Sequence, residues 1–192
     1  IFWYEDRMDD ITDVVNAMVD RNPNSPDTYY IAGNIYYNIY EYPQAVNMYN
    51  KTIELNPLNE DAYIDKIAAL FNSKYYNNCL ETCFEAEEKF NNYIIPWYIG
   101  DVYSRLGDPD KALEYYHKAN DLKSGDNSLL AAIGWEYLYA QDFGRAIEYA
   151  DKILAVDKSN YSAQELKKSA EERWGNIVEQ VSDFVENNYI YF

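Results

Sequence analysis

A glycine stands three residues ahead of a tyrosine at three places in this chain. IAGNIYYNIY, YIGDVYSRLG and AIGWEYLYAQ carry Gly33, Gly100 and Gly134 before Tyr36, Tyr103 and Tyr137. The three glycines are 67 and 34 residues apart, so the step is about 34 with one copy hidden between the first two. Ala45, Ala112 and Ala146 keep the same step. A glycine inside a helical run costs about 1 kcal/mol relative to alanine. Its return at a fixed interval therefore calls for a packing reason that also returns. A period of this length is the mark of helix–turn–helix units that cannot bury their apolar faces singly and do so by stacking.

The hidden copy is ALFNSKYYNNCLETCFEAEEKF, in which Cys79 takes the place of the repeated alanine. Helix punctuation agrees with the period. Gly107-Asp108-Pro109 reads as a helix end, an N-cap and a proline in the next first turn, and Ser25-Pro26 and Tyr42-Pro43 put proline at the same kind of place. The expected helices lie near residues 4–21, 26–40, 43–56, 60–74, 77–91, 93–106, 109–123, 127–141, 143–156 and 161–187. No linker rich in glycine, serine or proline divides them, so residues 1–192 read as one repeat domain.

The recurring positions resemble the tetratricopeptide repeat, W-x2-L-G-x2-Y followed by A-x3-F and a later A and P. Repeat one, 26–59, matches at Tyr29, Ala32, Gly33, Tyr36, Ala45, Tyr49 and Pro57. Repeat three, 93–126, matches at Ile99, Gly100, Tyr103, Ala112, Tyr116 and Ala119, and repeat four, 127–160, at Ile133, Gly134, Tyr137, Ala146 and Ala150. Repeat two, 60–92, departs most, with Ile67 for glycine, Leu70 for tyrosine, and Cys79 and Cys83 for the alanine and the aromatic. The resemblance implies an all-α, right-handed superhelical solenoid. Residues 1–25 would supply the second half of a truncated repeat, and 161–192 a capping helix and tail. In each hairpin a small residue at the crossing would let two backbones approach, with Tyr103 and Tyr116 as filler beside Gly100 and Ala112.

Chemistry is thinly represented. His117 has no metal-ligand company and falls where the repeat leaves side chains in solvent, so a surface role is expected. Cys79 and Cys83 share a helical face, which suits a redox or metal pair, but both occupy packing positions, where free cysteine behaves as a small hydrophobe. Carboxylate pairs such as Asp9-Asp10 and Glu87-Glu88 read as solvated helix faces. Neither a phosphate loop nor a nucleophile elbow is present, and no catalytic residue, metal or cofactor is expected. A net charge of −17 argues against nucleic-acid binding and favours neutral to basic partners. No apolar run approaches a membrane span. Two cysteines leave the redox compartment open. The acidic, cysteine-poor composition favours the cytoplasm, with a periplasmic or anchored place open because Ile1-Phe2-Trp3-Tyr4 lacks a methionine.

What remains is a surface. The resemblance implies that places two, five, nine, twelve and thirteen of each repeat line a concave groove. Carried over, these include Tyr30, Asn34, Tyr37, Asn38, Ile64, Phe71, Asn72, Trp97, Asp101, Arg105, Trp135 and Tyr139. Such a wall suits an extended peptide or partner helix, with aromatic anchors and amides that can bond a peptide backbone. Some members of the family grip the carboxyl terminus of chaperones with a basic clamp. Here its lysine place is Tyr30, its asparagine place is Asn34, and its third-repeat basic places are Ile94 and Tyr98, so no chaperone-tail binding is expected. The wealth of tyrosine and asparagine has a second reading as compositional drift, with the groove aromatics packing between helices. A separate apolar stripe, Ile177, Val178, Val181, Phe184 and Val185, runs into Tyr189-Ile190-Tyr191-Phe192. That stripe suggests an alternative role, a structural protein that associates with copies of itself through its terminal helices. The aromatic start, 1–4, invites the same idea at the other end.

Overall fold

A computed structural model describes the backbone of residues 2–189 and the side chains of 8–186. All regular structure among them is helical. The order is α1 Phe2–Arg21, α2 Pro26–Asn38, α3 Tyr42–Leu55, α4 Glu60–Asn72, α5 Tyr76–Glu87, α6 Ile94–Leu106, α7 Pro109–Leu122, α8 Asn127–Tyr139, α9 Phe143–Val156 and α10 Tyr161–Tyr189. The aromatic ends, 1–4 and 189–192, lie outside the described side chains. The chain divides into two compact units, one ending at Tyr98 and one beginning at Ile99, so that the boundary falls within α6.

Inside each hairpin the turn is the same. Tyr40, Lys74, Gly107 and Gln141 recur at the repeat interval and all take the left-handed conformation, with φ of 65°, 62°, 77° and 61°. The next residue's N–H reaches back five positions: Glu41 to the Tyr36 carbonyl, Tyr75 to Leu70, Asp108 to Tyr103 and Asp142 to Tyr137, at 2.8 to 3.0 Å. This is the Schellman arrangement, which satisfies carbonyls that a helix end would leave without partners. Only Gly107 takes that conformation without steric cost. The turn also explains why α2, α4 and α8 stop two residues short of the expected 40, 74 and 141. α5 ends at Glu87 rather than 91 because Lys89 and Phe90 both bond back to the Ala86 carbonyl and Phe90 packs on Tyr63, 5.4 Å between rings.

Between hairpins, side chains cap the helix starts. Asn59 accepts from Ala62 N at 3.0 Å, Asp126 from Leu129 N at 3.2 Å and Asn160 from Ala163 N at 3.0 Å. Each satisfies an orphan N–H of the first turn. Asp108 and Asp142 do the same at α7 and α9, where each follows directly on the left-handed residue. Much of the asparagine content at these boundaries is therefore cap chemistry.

Gly33 and Gly100 answer to the second helix of their hairpin. In the first unit, a Cβ on Gly33 would stand 2.5 Å from the Tyr49 ring, and in the second a Cβ on Gly100 would stand 2.6 Å from the Tyr116 ring. Tyr49 and Tyr116 are buried, and Tyr103 stacks on Tyr115 at 5.9 Å. Repeat two reverses the allocation: Ile67 on α4 and Cys83 on α5 are both fully buried, with the large side chain on the first helix and the small one on the second. In repeat four the second-helix place is Ala150, and Leu166 of α10 reaches across to the space over Gly134. Around these contacts Val15, Ala32, Tyr36, Ala45, Tyr49 and Ala69 form a core in the first unit, and Leu130, Ile153 and Ala163 form one in the second. Val15 is how α1 joins the first hairpin.

Candidate functional site

The walls in question are the outward faces of the first helices: α2, α4 and the start of α6 in the first unit, and the rest of α6 with α8 in the second. In the first unit two side-chain bonds span successive first helices. The Tyr30 hydroxyl donates to Asp65 Oδ2 at 2.7 Å, and Asn72 Nδ2 donates to the Tyr37 hydroxyl at 2.9 Å. From the hairpin's second helix the Tyr49 hydroxyl donates to Asn34 Oδ1 at 2.7 Å. Tyr30 and Tyr49 rings lie 6.0 Å apart. The structure thus brings Tyr30, Asn34, Tyr37 and Asn72 together in one bonded face, half-buried apart from the exposed Asn72, with the exposed Asn38 beside it.

Burial, then the bond to Asp65, pushes the Tyr30 phenol up to about 12, so it is a proton donor at neutral pH. Burial also raises Tyr37 and Tyr49, and it raises the Asp65 carboxyl against the lowering effect of the Tyr30 bond. Tyr30 is therefore a neutral tie between α2 and α4 where a clamp would need a cation.

Further along, aromatic rings gather. Phe71 meets Tyr98 at 5.6 Å and Tyr76 at 5.9 Å, while Trp97 stacks between Tyr98 at 6.5 Å and Tyr93 at 6.4 Å. Phe71, Trp97 and Tyr98 are half-buried, and so is Ile64. Phe71 and Trp97 stand at wall places by register. Tyr98 is by register only a vacant clamp position, and the ring contacts make it part of the cluster.

In the second unit the Tyr116 hydroxyl donates to Asp101 Oδ1 at 2.6 Å, repeating the Tyr49–Asn34 relation one hairpin pair later. Ser104 donates to the buried Glu136, tying α6 to α8. Burial raises the Glu136 carboxyl, with the Ser104 bond opposing. Trp135 lies 6.2 Å from Tyr139, which is 62% exposed, and Arg105 is exposed. Asp65 and Glu136 escaped the motif reading. The available signal for Glu136 was a single carboxylate inside SLLAAIGWEYLY; none marks Asp65 among the chain's other carboxylates.

His117 is not a solvated surface group. It is half-buried, its Nε2 lies 3.1 Å from the Tyr137 hydroxyl, and its ring sits 6.2 Å from those of Tyr137 and Tyr149. Burial holds it below the ordinary histidine value. Cys79 and Cys83 are fully buried, Cys79 Sγ donates to the Ile67 carbonyl at 3.6 Å, and the Cys83 thiol is pushed up by its bond to Cys79 and by burial. Both therefore act as packing. Among the described residues there is no cluster suited to a metal ion, and no helix is long and apolar enough to cross a membrane.

Comparisons with known proteins agree with the hairpin geometry. A family model described as tetratricopeptide repeat matches residues 99–126. The chain is 24% identical to anaphase-promoting complex subunit 3 of Schizosaccharomyces pombe over 165 residues, 84% of this chain and 24% of that protein. It is 25% identical to TPR repeat-containing protein MJ1428 of Methanocaldococcus jannaschii over 128 residues, 66% of this chain and 22% of that one. It thus spans about a quarter of the length of these curated relatives. Among solved structures, that of YrrB, titled a TPR protein with an unusual peptide-binding site, shares the fold with a TM-score of 0.67 at 16% identity, covering 92% of this chain and 93% of that one. With its repeated hairpins, a tetratricopeptide repeat matched at 99–126 and tetratricopeptide-repeat proteins among its likenesses, the chain is an all-α helical-repeat protein similar to the tetratricopeptide-repeat proteins.

Proposed function

We propose that the chain is a non-catalytic protein-interaction module whose first-helix walls hold an extended peptide or partner helix of neutral to basic character. The family and the fold support an interaction module. The observation that carries the finer reading is the half-buried cluster of Phe71, Trp97 and Tyr98 beside the amide of Asn72. Aromatic rings held in place by one another are the side chains that dominate interface energies, because little freedom is lost when they are covered. The wall of the second unit offers Trp135 and Tyr139 as anchors and Asp101 as an acceptor. YrrB, of like fold, is a TPR protein with an unusual peptide-binding site, which supports the same use of this chain.

Selection from a displayed random-peptide library tests it. Enriched peptides should be neutral to basic, and their affinity should fall about tenfold or more in Phe71→Ala and Trp97→Ala, the loss typical of an interface anchor. Equal binding by the wild type and both variants would overturn the wall as the site. The alternative, assembly through terminal helices, attaches to α10. There Ile177, Val181, Phe184 and Val185 are all exposed.

A further inference from the structure

We propose that the distal half of α10 docks a basic amphipathic helix from another protein. This site lies on the second unit and does not rest on the walls. Ala163, Leu166 and Ala170 are the buried face of the first half of α10, which packs on α8 and α9. Steps of three and four carry that same face on to Trp174, Ile177, Val178, Val181 and Val185, which are exposed by 41 to 57%. Trp174 is where cover ends: its Cζ3 would lie 3.9 Å from a Cβ on Gly144, in the first turn of α9. The indole separates two open recesses. One, of about 560 Å³, is floored by Ile147, Trp174 and Val178 and edged by Glu171 and Glu179. The other, of about 570 Å³, lies against the α8–α9 turn at 140–144.

Charge selects the occupant. Residues 171–186 hold five acidic side chains, Glu171, Glu172, Glu179, Asp183 and Glu186, against one basic, Arg173. A second copy of α10 would set acidic edge against acidic edge. A helix with large apolar residues at i, i+4 and i+7 between lysines or arginines would fill the recesses and neutralise their edges, which is the helix-in-groove mode of recognition. The overall charge of −17 would steer such a helix toward the chain.

The test uses a short, labelled leucine/lysine amphipathic peptide, a scrambled peptide of the same composition, and a leucine/glutamate counterpart. The amphipathic basic peptide should bind saturably by anisotropy and slow amide exchange within 174–185. Val178→Ser with Val181→Ser, and separately Glu179→Lys, should weaken it about tenfold or more. These positions are exposed, so far-UV circular dichroism should show the fold intact. In Trp97→Ala the peptide should protect 174–185 from exchange as it does in the wild type, which separates this site from the walls. Equal binding of the scrambled or acidic peptide, indifference to the α10 variants, or a dimer by light scattering whose 174–185 amides are already protected from exchange without peptide would each overturn the proposal.

Discussion

The Tyr116 hydroxyl donates to Asp101 at 2.6 Å while its ring covers Gly100 in the same hairpin, so one side chain both fills the crossing and ties the wall to its support. Tyr116→Phe keeps the ring and deletes the bond. A hydrogen bond to a charged acceptor contributes about 1.5–3 kcal/mol, and urea denaturation should show a loss near the lower end because Asp101 is only half-buried. Unchanged stability would mean that water replaces the hydroxyl.

Bulk is shared across the first three hairpins, and this can be measured at Gly33 and Tyr49. Gly33→Ile alone drives a branched side chain into the Tyr49 ring and should cost about 3 kcal/mol or more, at the top of the overpacking range. Tyr49→Cys alone leaves a cavity and should cost a similar amount, about 3–5 kcal/mol. The double variant reproduces the Ile67–Cys83 allocation and should be more stable than the sum of losses by about 1–3 kcal/mol. Strict additivity would refute compensation.

Left-handed backbone costs a residue with a Cβ roughly 1–2 kcal/mol. Lys74→Gly and Gln141→Gly should each raise stability by up to about 1 kcal/mol, net of the greater freedom of glycine in the unfolded chain. Because the two turns lie in separate units, the gains should add in a double variant followed by thermal melting.

Glu136 gives a pH signature. Burial holds its folded-state carboxyl above the ordinary 4.5, so between that value and the raised one the native chain keeps a proton that the unfolded chain releases. Stability from this group therefore falls as pH rises through that window and is level above it. Glu136→Gln keeps an acceptor for Ser104 without the charge. Its melting temperature should exceed that of the wild type at pH 7 and match it once the wild-type Glu136 carboxyl is protonated in both the folded and the unfolded chain. A lower value at pH 7 would show that the ionised form is the better partner for Ser104.

An acidic peptide ending in Glu-Glu-Val-Asp should show no submicromolar binding by calorimetry. The clamp's first cation place is Tyr30, whose hydroxyl is committed to Asp65, and carboxylates need charged donors to be held tightly.

Helix order and hairpin phase were legible in the sequence because they rest on local chemistry. Gly107, Asp108 and Pro109 announce a turn, and Gly33, Gly100 and Gly134 announce close crossings. Turns without glycine were harder to bound, since nothing about Tyr40, Lys74 or Gln141 advertises a left-handed residue; the surrounding helices impose it. The wall could be named by register, but its internal bonds could not. Tyr30–Asp65 and Ser104–Glu136 join residues 35 and 32 positions apart, and such pairs depend on how hairpins stack rather than on any short motif. His117 was misplaced for the same reason: its neighbours Tyr137 and Tyr149 come from the following hairpin.

The exchange of bulk between Ile67 and Cys83 has a consequence for how such chains diverge and how they can be rebuilt. A hairpin can lose its signature letters through two substitutions that each harm the fold alone and together restore it, so a copy invisible to motif matching remains structurally intact. The helices have become private to their partners. Grafting α2 onto α5 would set Gly33 opposite Cys83 and leave a hole the size of a tyrosine ring, whereas α4 onto α3 would press Ile67 against Tyr49. Shuffling of this chain, by evolution or by design, should therefore succeed when whole hairpins move and fail when single helices do.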